Sequence, residues 1–312
     1  MTAHHPFRFG YQTRGGTPAE LRDQARRAET AGFDVVHTWD HLAPGWSPTL
    51  PLLAMAEATE HIRVCPLVIN NDFHHPALLA AEYVHLDHLT DGRVELGIGA
   101  GHAFTEYAAM GLPFAPPAVR KARMAEAIEI IVRLFAGDTV TYEGEHYHLH
   151  DVAGVAPRQA HLPLLVGVNG KAALAHAARF ADTIGLMMLG RTLPDGQSHE
   201  VRWQADRLDA TVGHIRACEV GRPQPLELNA LVQVVQVTDD AASVRHELLG
   251  ELEGLTLDDV ETTPFMAIGT ADEIADHLVR CRERWGISYF SVRSIEAFQP
   301  VIERLRMVDA RA

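Results

Sequence analysis

Short apolar runs alternate along this chain with longer stretches in which apolar residues return every three or four positions, the signatures of buried strands and amphipathic helices. Both are at their clearest from Arg63 to Phe104. Val64, Leu67, Val68 and Ile69 make a run too brief for a helix, halted by the polar cluster Asn70, Asn71 and Asp72. Pro76 suits the first turn of a helix, where its missing N–H is no loss, and Leu79, Tyr83, Leu86 and Leu89 follow at helical spacing up to Asp91-Gly92. Val94, Leu96 and Ile98 then predict a second strand running into Gly99-Ala100-Gly101, where backbone can come close to something flat or anionic. A strand-helix-strand unit of this kind implies parallel strands with a right-handed crossover. Its polar loops follow the carboxyl ends of the strands, where such folds place ligands.

The same alternation covers the rest of the chain. Phe7 to Gln12 reads as a first strand, and Thr17-Pro18-Ala19-Glu20 as a helix start, with Thr17 the N-cap and Glu20 closing a capping box. Leu21, Ala25, Ala28 and Ala31 give that helix a buried face, Gly32 closes it, and Val35 to Trp39 form a second strand ending at Asp40-His41. Met124, Ile128, Ile131 and Phe135 mark a helix, and residues 139–150 predict a hairpin added to the core around Glu143-Gly144. Leu164 to Val166 is a buried strand running into Gly167-Val168-Asn169-Gly170-Lys171 and a helix bearing Leu174, Ala178 and Ala181. Thr183 to Leu186 gives another strand, followed by residues 187–199 as a candidate lid loop. Trp203, Leu208 and Ile215 predict a helix, Leu226 to Val237 one long strand, residues 241–252 a helix, and 271–285 and 287–292 a closing helix and strand. Alternation this long, with no Ser- or Pro-rich linker, favours a single domain over residues 1–312, a closed TIM-like (β/α)8 barrel with insertions.

Composition narrows the functional classes. A hydrophobic fraction of 47% supplies a large core, while a net charge of −14 without Lys or Arg clusters argues against nucleic acid as a partner. Cys65, Cys218 and Cys281 are far apart and lack CxxC spacing, so neither a disulfide framework nor a zinc ribbon is expected. The first ten residues lack the charged-then-apolar pattern of a leader, and no apolar run approaches the ~18 residues of a membrane span. The expected location is the cytoplasm.

Ordered motifs run through most of the chain: FGYQ near the start, WDHL after the second strand, NNDFHHPALLAAE, GRVELGIGAGHAFTEYAAMGLPF and LLVGVNGKAALAHAARFADTIGL. Together they resemble the luciferase-like monooxygenase superfamily, and within it the oxidoreductases that use coenzyme F420. The resemblance implies a TIM-like barrel, a flavin or deazaflavin at the carboxyl face, and often a homodimer. It also implies a non-prolyl cis peptide within Pro66 to Ile69 behind the cofactor ring, which brings Leu67, Val68 and Asn70 into the candidate cofactor site. Two departures stand out: Val168 and Asn169 interrupt a glycine run after the fifth strand, and His102 stands where many members place Trp or Glu.

Asp40 and His41 occupy the place of a catalytic pair in related deazaflavin enzymes. In a regular strand their side chains point to opposite faces, so only one enters the mouth unless the strand has already ended. His41 is the expected proton carrier, with Asp40 or His102 next; the plainer alternative makes Asp40 a turn residue and His41 a surface group. Asn169, Gly170 and Lys171 precede a helix whose N–H groups and positive end suit a cofactor phosphate, although they equally describe an ordinary strand-to-helix turn. Gly99, Ala100 and Gly101 suit a tricyclic ring lying on backbone, or else a tightly packed strand end; Gly167 and Val168 complete the candidate cofactor-binding residues. His146, His148 and His150 alternate along the hairpin and read as an exposed row, with no metal expected. Met187, Met188 and Trp203 hint at an apolar pocket, or at ordinary core. The leading expectation is hydride transfer between a deazaflavin and a small organic alcohol, carbonyl or imine. An FMN-dependent monooxygenase fed by a separate reductase is the alternative, and a flavin-binding protein without turnover a third reading.

Overall fold

The computed structural model describes residues 5–42, 47–193, 199–222, 224–252 and 254–311. β1 (Arg8–Gln12), α1 (Pro18–Thr30), β2 (Val35–Thr38) and α2 (Thr49–Ala56) lead to β3 (Arg63–Pro66) and β4 (Ile69–Asn70). Then come α3 (Pro76–Leu89), β5 (Leu96–Gly99), α4 (Phe104–Ala109), α5 (Pro117–Phe135) and a hairpin of β6 (Thr139–Glu143) and β7 (His148–Ala153). β8 (Leu164–Gly167), α6 (Lys171–Phe180) and β9 (Thr183–Leu186) precede a second hairpin, β10 (Leu189–Thr192) and β11 (His199–Val201), and α7 (Ala205–Cys218). The chain ends with β12 (Glu227–Leu231), β13 (Val234–Val237), α8 (Ala241–Glu251), α9 (Leu257–Thr262), β14 (Met266–Gly269), α10 (Ala271–Trp285), β15 (Ile287–Val292) and α11 (Ile295–Asp309).

Nine segments pair in the order β3-β2-β1-β15-β12-β9-β8-β5-β4, every ladder parallel. The first and last of these, β3 and β4, are halves of one strand interrupted at Leu67 and Val68, whose peptide bond is cis, as the resemblance implied. A further bridge between Val64 and Val94 joins β3 to the chain just before β5, so the ring closes as the expected (β/α)8 barrel. Glycines make the closure tight. A Cβ on Gly97 would stand 2.0 Å from the Pro66 carbonyl oxygen, and one on Gly99 2.7 Å from Val68 Cγ2. β5 therefore nests into the interruption because two of its residues lack side chains.

Local signals behave as expected at α1, where Thr17 and Glu20 form a reciprocal capping box, and Thr270 and Glu273 repeat it at α10. Elsewhere the fold corrects the sequence reading. The run Val64 to Ile69 is two strands, not one. Leu226 to Val237 also divides: β12 stays in the barrel while β13 leaves to pair with β14 in a small parallel sheet. Trp203 precedes α7 instead of belonging to it. Residues 187–199 contain β10 and the start of β11, with Thr192 paired to His199 and Leu189 to Val201 just beyond, so the segment includes strand and is not a plain loop; residues 194–198 of that candidate lid lie outside the described residues. The first hairpin sits where expected, clasped by Glu126 of α5, which accepts backbone hydrogen bonds from Glu145, His146 and Tyr147.

The barrel's amino-terminal floor is ionic. Arg8 of β1 pairs with Glu95 and, at 3.0 Å, with Glu227; Arg63 reaches the same Glu95, whose side chain is 2% exposed. Burial works against Arg8's charge, but Glu95, Tyr289 and Glu227 outweigh it and hold the guanidinium protonated. Above this layer His37 is fully buried. Its Nδ1–H donates to the Cys65 carbonyl (3.0 Å), which can only accept, so Nε2 accepts from Tyr289 OH (2.9 Å), with Ser291 Oγ 3.2 Å away. Among the described residues no helix is long and apolar enough to cross a membrane.

Candidate active site

At the carboxyl ends of the strands the barrel opens into a cleft of about 600 Å³. β2 ends at Thr38, so Asp40 and His41 lie beyond regular strand and both line the cleft. Their roles differ. Asp40 accepts from the Asn70 backbone N–H (2.9 Å) and from His74 Nε2 (2.8 Å), which makes it a clasp between the ends of β2 and β4. His41 Nδ1 lies 2.9 Å from Glu106 Oε1, an oxygen that also accepts the Leu42 N–H. A carboxylate only accepts, so Nδ1 carries the hydrogen, and in the neutral imidazole Nε2 is the nitrogen with the lone pair. The His41 side chain is 38% exposed and that of Glu106 12%, so the carboxylate is the more buried member of the pair. Glu106 and the helix that carries it, α4, were not read from the sequence.

His102, after β5, meets His41 edge to face at 5.3 Å between ring centres, and its Nδ1 lies 2.9 Å from Nε2 of His199 on β11. Burial, together with the nearby His41, His199 and Arg120, pushes the His102 pKa down to about 4, so this ring is neutral near pH 7. Arg120 of α5, a further residue the sequence did not mark, donates to the carbonyls of Ala100 and Gly101 and fixes the loop that presents His102.

The expected cofactor residues fall into two groups. Leu67, Val68, Asn70 and Gly101 line the cleft. Asn70 Oδ1 accepts from the Asp72 N–H and from Tyr107 OH, and its amide nitrogen has no partner among the described residues. Val68 packs against both Gly99 and Gly167, and Val68 and Leu67 line the cleft in front of them. Gly101, at φ +73°, faces Tyr107 OH and Asn70 Oδ1 within 2.3 Å of where a Cβ would be. Ala100 packs against the core, and Val168 is buried. Asn169, Gly170 and Lys171 line a second cavity, at the start of α6, together with Lys121 of α5. Asn169 connects the two linings: its amide donates to the carbonyl of Leu189, a cleft residue, and its own carbonyl accepts from Lys121 Nζ at 2.7 Å.

Leu186, Met187, Trp203 and Phe265 form an apolar wall of the cleft, with Trp203 stacked on Phe265 at 5.4 Å. Met188 is buried beside it. In the first hairpin His148 pairs with Glu143 and His150 lies near Asp151, both exposed, and among the described residues no three His, Cys, Asp or Glu side chains converge to hold a metal.

A parallel barrel with a cleft at the strand carboxyl ends is the architecture in which barrel enzymes bind small molecules at that face. The family is more specific: residues 2–289 match the model of the luciferase-like monooxygenases, and the chain belongs to that family. It is 37% identical over 187 residues to an F420-dependent glucose-6-phosphate dehydrogenase of Microbacterium testaceum, covering 57% of this chain and 55% of that one; the chain thus spans about half the length of the curated relatives it matches. Over 142 residues it is also 37% identical to a 4-hydroxyprotoasukamycin monooxygenase of Streptomyces nodosus subsp. asukaensis, covering 43% and 38%. In fold it is similar to an F420-dependent secondary alcohol dehydrogenase solved with an F420-acetone adduct: TM-score 0.77, 19% identity, 99% of this chain and 100% of the other.

Proposed function

We propose that the protein is an oxidoreductase that passes hydride between coenzyme F420 and a small organic alcohol, carbonyl or imine, with His41 moving the accompanying proton. The observation that carries this reading is the hydrogen bond between His41 Nδ1 and Glu106 at the edge of the cleft that His41 lines, which supports His41 as the base. Glu106 holds the ring in that tautomer and stabilises the imidazolium that forms when a substrate hydroxyl gives up its proton. The cleft suits a tricyclic ring: its volume falls in the range of cofactor sites, its floor is Leu67 and Val68, and the Asn70 amide offers a free donor at the edge. Lys121, Lys171 and the N–H groups opening α6 suit an acidic tail in the second cavity. When bound, the deazaflavin supplies a ring carbon able to accept or release hydride.

The 37% identity to a monooxygenase supports a second reading, FMN and oxygen with reduced flavin from a separate reductase. Fluorescence titration with each cofactor, and oxygen uptake with reduced FMN, separate the two. For the reaction itself, His41→Ala should lower single-turnover cofactor reduction by ~10² to 10⁴, the usual contribution of a general base. Cofactor affinity should change by less than about tenfold, since the tail contacts lie on another loop. A variant that keeps the wild-type rate makes His41 a bystander. Exposed leucines on α2 and α3, Leu50, Leu78 and Leu89, support a homodimer, which sedimentation at low micromolar concentration tests.

A further inference from the structure

The rim of the cleft along β1, β12 and β15 carries two arginines that the proposed chemistry does not use. Arg293 follows β15 and Arg14 follows β1, and both line the cleft. Arg293 donates through Nε to Gln12 Oε1 at 2.8 Å and through one terminal nitrogen to Gln233 Oε1 at 3.1 Å. Both glutamines are themselves oriented: Gln12 Nε2 donates to the Leu67 carbonyl at 3.3 Å, and Gln233 Nε2 to the Leu231 carbonyl at 3.1 Å. Their oxygens therefore fix the guanidinium without neutralising it. Its second terminal nitrogen has no partner among the described residues, and neither has Arg14.

The backbone around Arg14 is set in place, while its side chain is exposed. Gln24 of α1 accepts from Thr13 Oγ1 (2.6 Å) and Tyr11 OH (2.9 Å) and donates to the Gly15 carbonyl (3.0 Å), so the residues flanking Arg14 are tied to α1. The two acids that line the cleft are occupied elsewhere, Asp40 by His74 and Glu106 by His41. Burial, and then the charge of Arg14, push the Arg293 pKa down; no carboxylate contributes in the other direction. A partly buried cation fixed by neutral acceptors beside a second cation gains little in the empty protein, and its fork geometry matches a carboxylate or a phosphate.

We propose that Arg293 and Arg14 form an anion subsite, so that the substrate is an alcohol or carbonyl compound carrying a carboxylate or phosphate group, held by that group while its reacting carbon faces the cofactor. This rests on the hydride-transfer reading for the word substrate, though not for the anion site. Calorimetric titration of the purified protein with inorganic phosphate and with acetate, at constant ionic strength in chloride, tests the site and tells the two anion types apart. Saturable binding of one of them is expected, weakened roughly tenfold or more in Arg293→Gln and partly restored in Arg293→Lys. F420 affinity, read by fluorescence, should stay within about threefold in Arg293→Gln. In turnover, a hydroxy acid or phosphorylated alcohol should exceed its neutral ester or amide in kcat/KM by about 10²-fold, and that preference should collapse in Arg293→Gln.

Two results overturn the proposal. Wild type that binds neither anion saturably has no such subsite. An Arg293→Gln variant that loses F420 affinity tenfold or more assigns the arginines to the cofactor's own acidic tail. Anion binding that persists while no alcohol or carbonyl reduces or oxidises the cofactor supports the site and overturns the proposed reaction alone.

Discussion

The floor and the mouth of this barrel use the same residue type in opposite ways. At the floor Arg8 lies against Glu95 and Glu227, with Thr183 Oγ1 donating to Glu227 as well, so charge is balanced inside the protein. At the mouth Arg293 has only amide oxygens, and Arg14 beside it is of the same sign. A cation neutralised within the chain belongs to the fold. A cation held by neutral groups at the edge of a cleft is prepared for something that arrives from outside. Acidic composition concealed the second case, because a net charge of −14 says nothing about where the few unbalanced cations lie.

The largest way to break this contrast is at the floor. Glu95→Gln leaves Arg8 and Arg63 facing each other without their shared carboxylate, and should cost about 3 to 5 kcal/mol in urea unfolding, as removal of one partner from a buried ion pair does. A loss under about 1 kcal/mol would mean the floor is no more built around charge than the mouth. Next in size is acid. Burial pushes the His37 pKa down to about 4 from 6.5, so between those values the unfolded chain binds a proton that the folded chain refuses. Stability is therefore full above pH 6.5 and falls as pH drops towards 4, by on the order of 3 kcal/mol for this group. His277 and His102 are shifted the same way by burial and deepen the fall. Unfolding free energies that stay level from pH 7 to 4.5 would contradict this. The smallest effect belongs to the mouth: Arg293→Gln should leave stability within about 1 kcal/mol of wild type, unchanged or slightly raised, because no internal carboxylate loses a partner.

The legible part of the sequence was local. The Thr17 and Glu20 capping box, Pro76 opening α3 and the short apolar strands act through neighbours in sequence, and the barrel follows from their alternation. The break at Leu67-Val68 was hidden because residues on both sides are apolar, and the one after Leu231 because the alternation of apolar and polar residues runs on through Gln233 into β13. α2 and α11 escaped notice for a related reason: Pro51 and Pro300 sit inside them, yet Leu52 and Met55, or Phe298, Val301 and Ile302, bury a face large enough to keep the helix. The site was legible as single residues and not as partners. His41 and Glu106 are 65 positions apart, His102 and His199 97, Gln12 and Arg293 281, and only the closed ring brings them together. The packing of Val68 against Gly99 and Gly167 was not legible either, because Val68 comes from another strand.

Asn169 gives the two cavities a common thermodynamic account. Its amide is committed to Leu189 on the cleft side and its carbonyl to Lys121 on the other, so whatever draws the Lys121 ammonium towards an anion also releases the carbonyl of a residue that braces the cleft wall. Linkage then works in both directions: the factor by which an acidic fragment in the second cavity changes affinity for a ring in the first equals the factor by which the ring changes affinity for the fragment. Replacing Lys121 with methionine would bring that factor towards one, while leaving each site able to bind by itself.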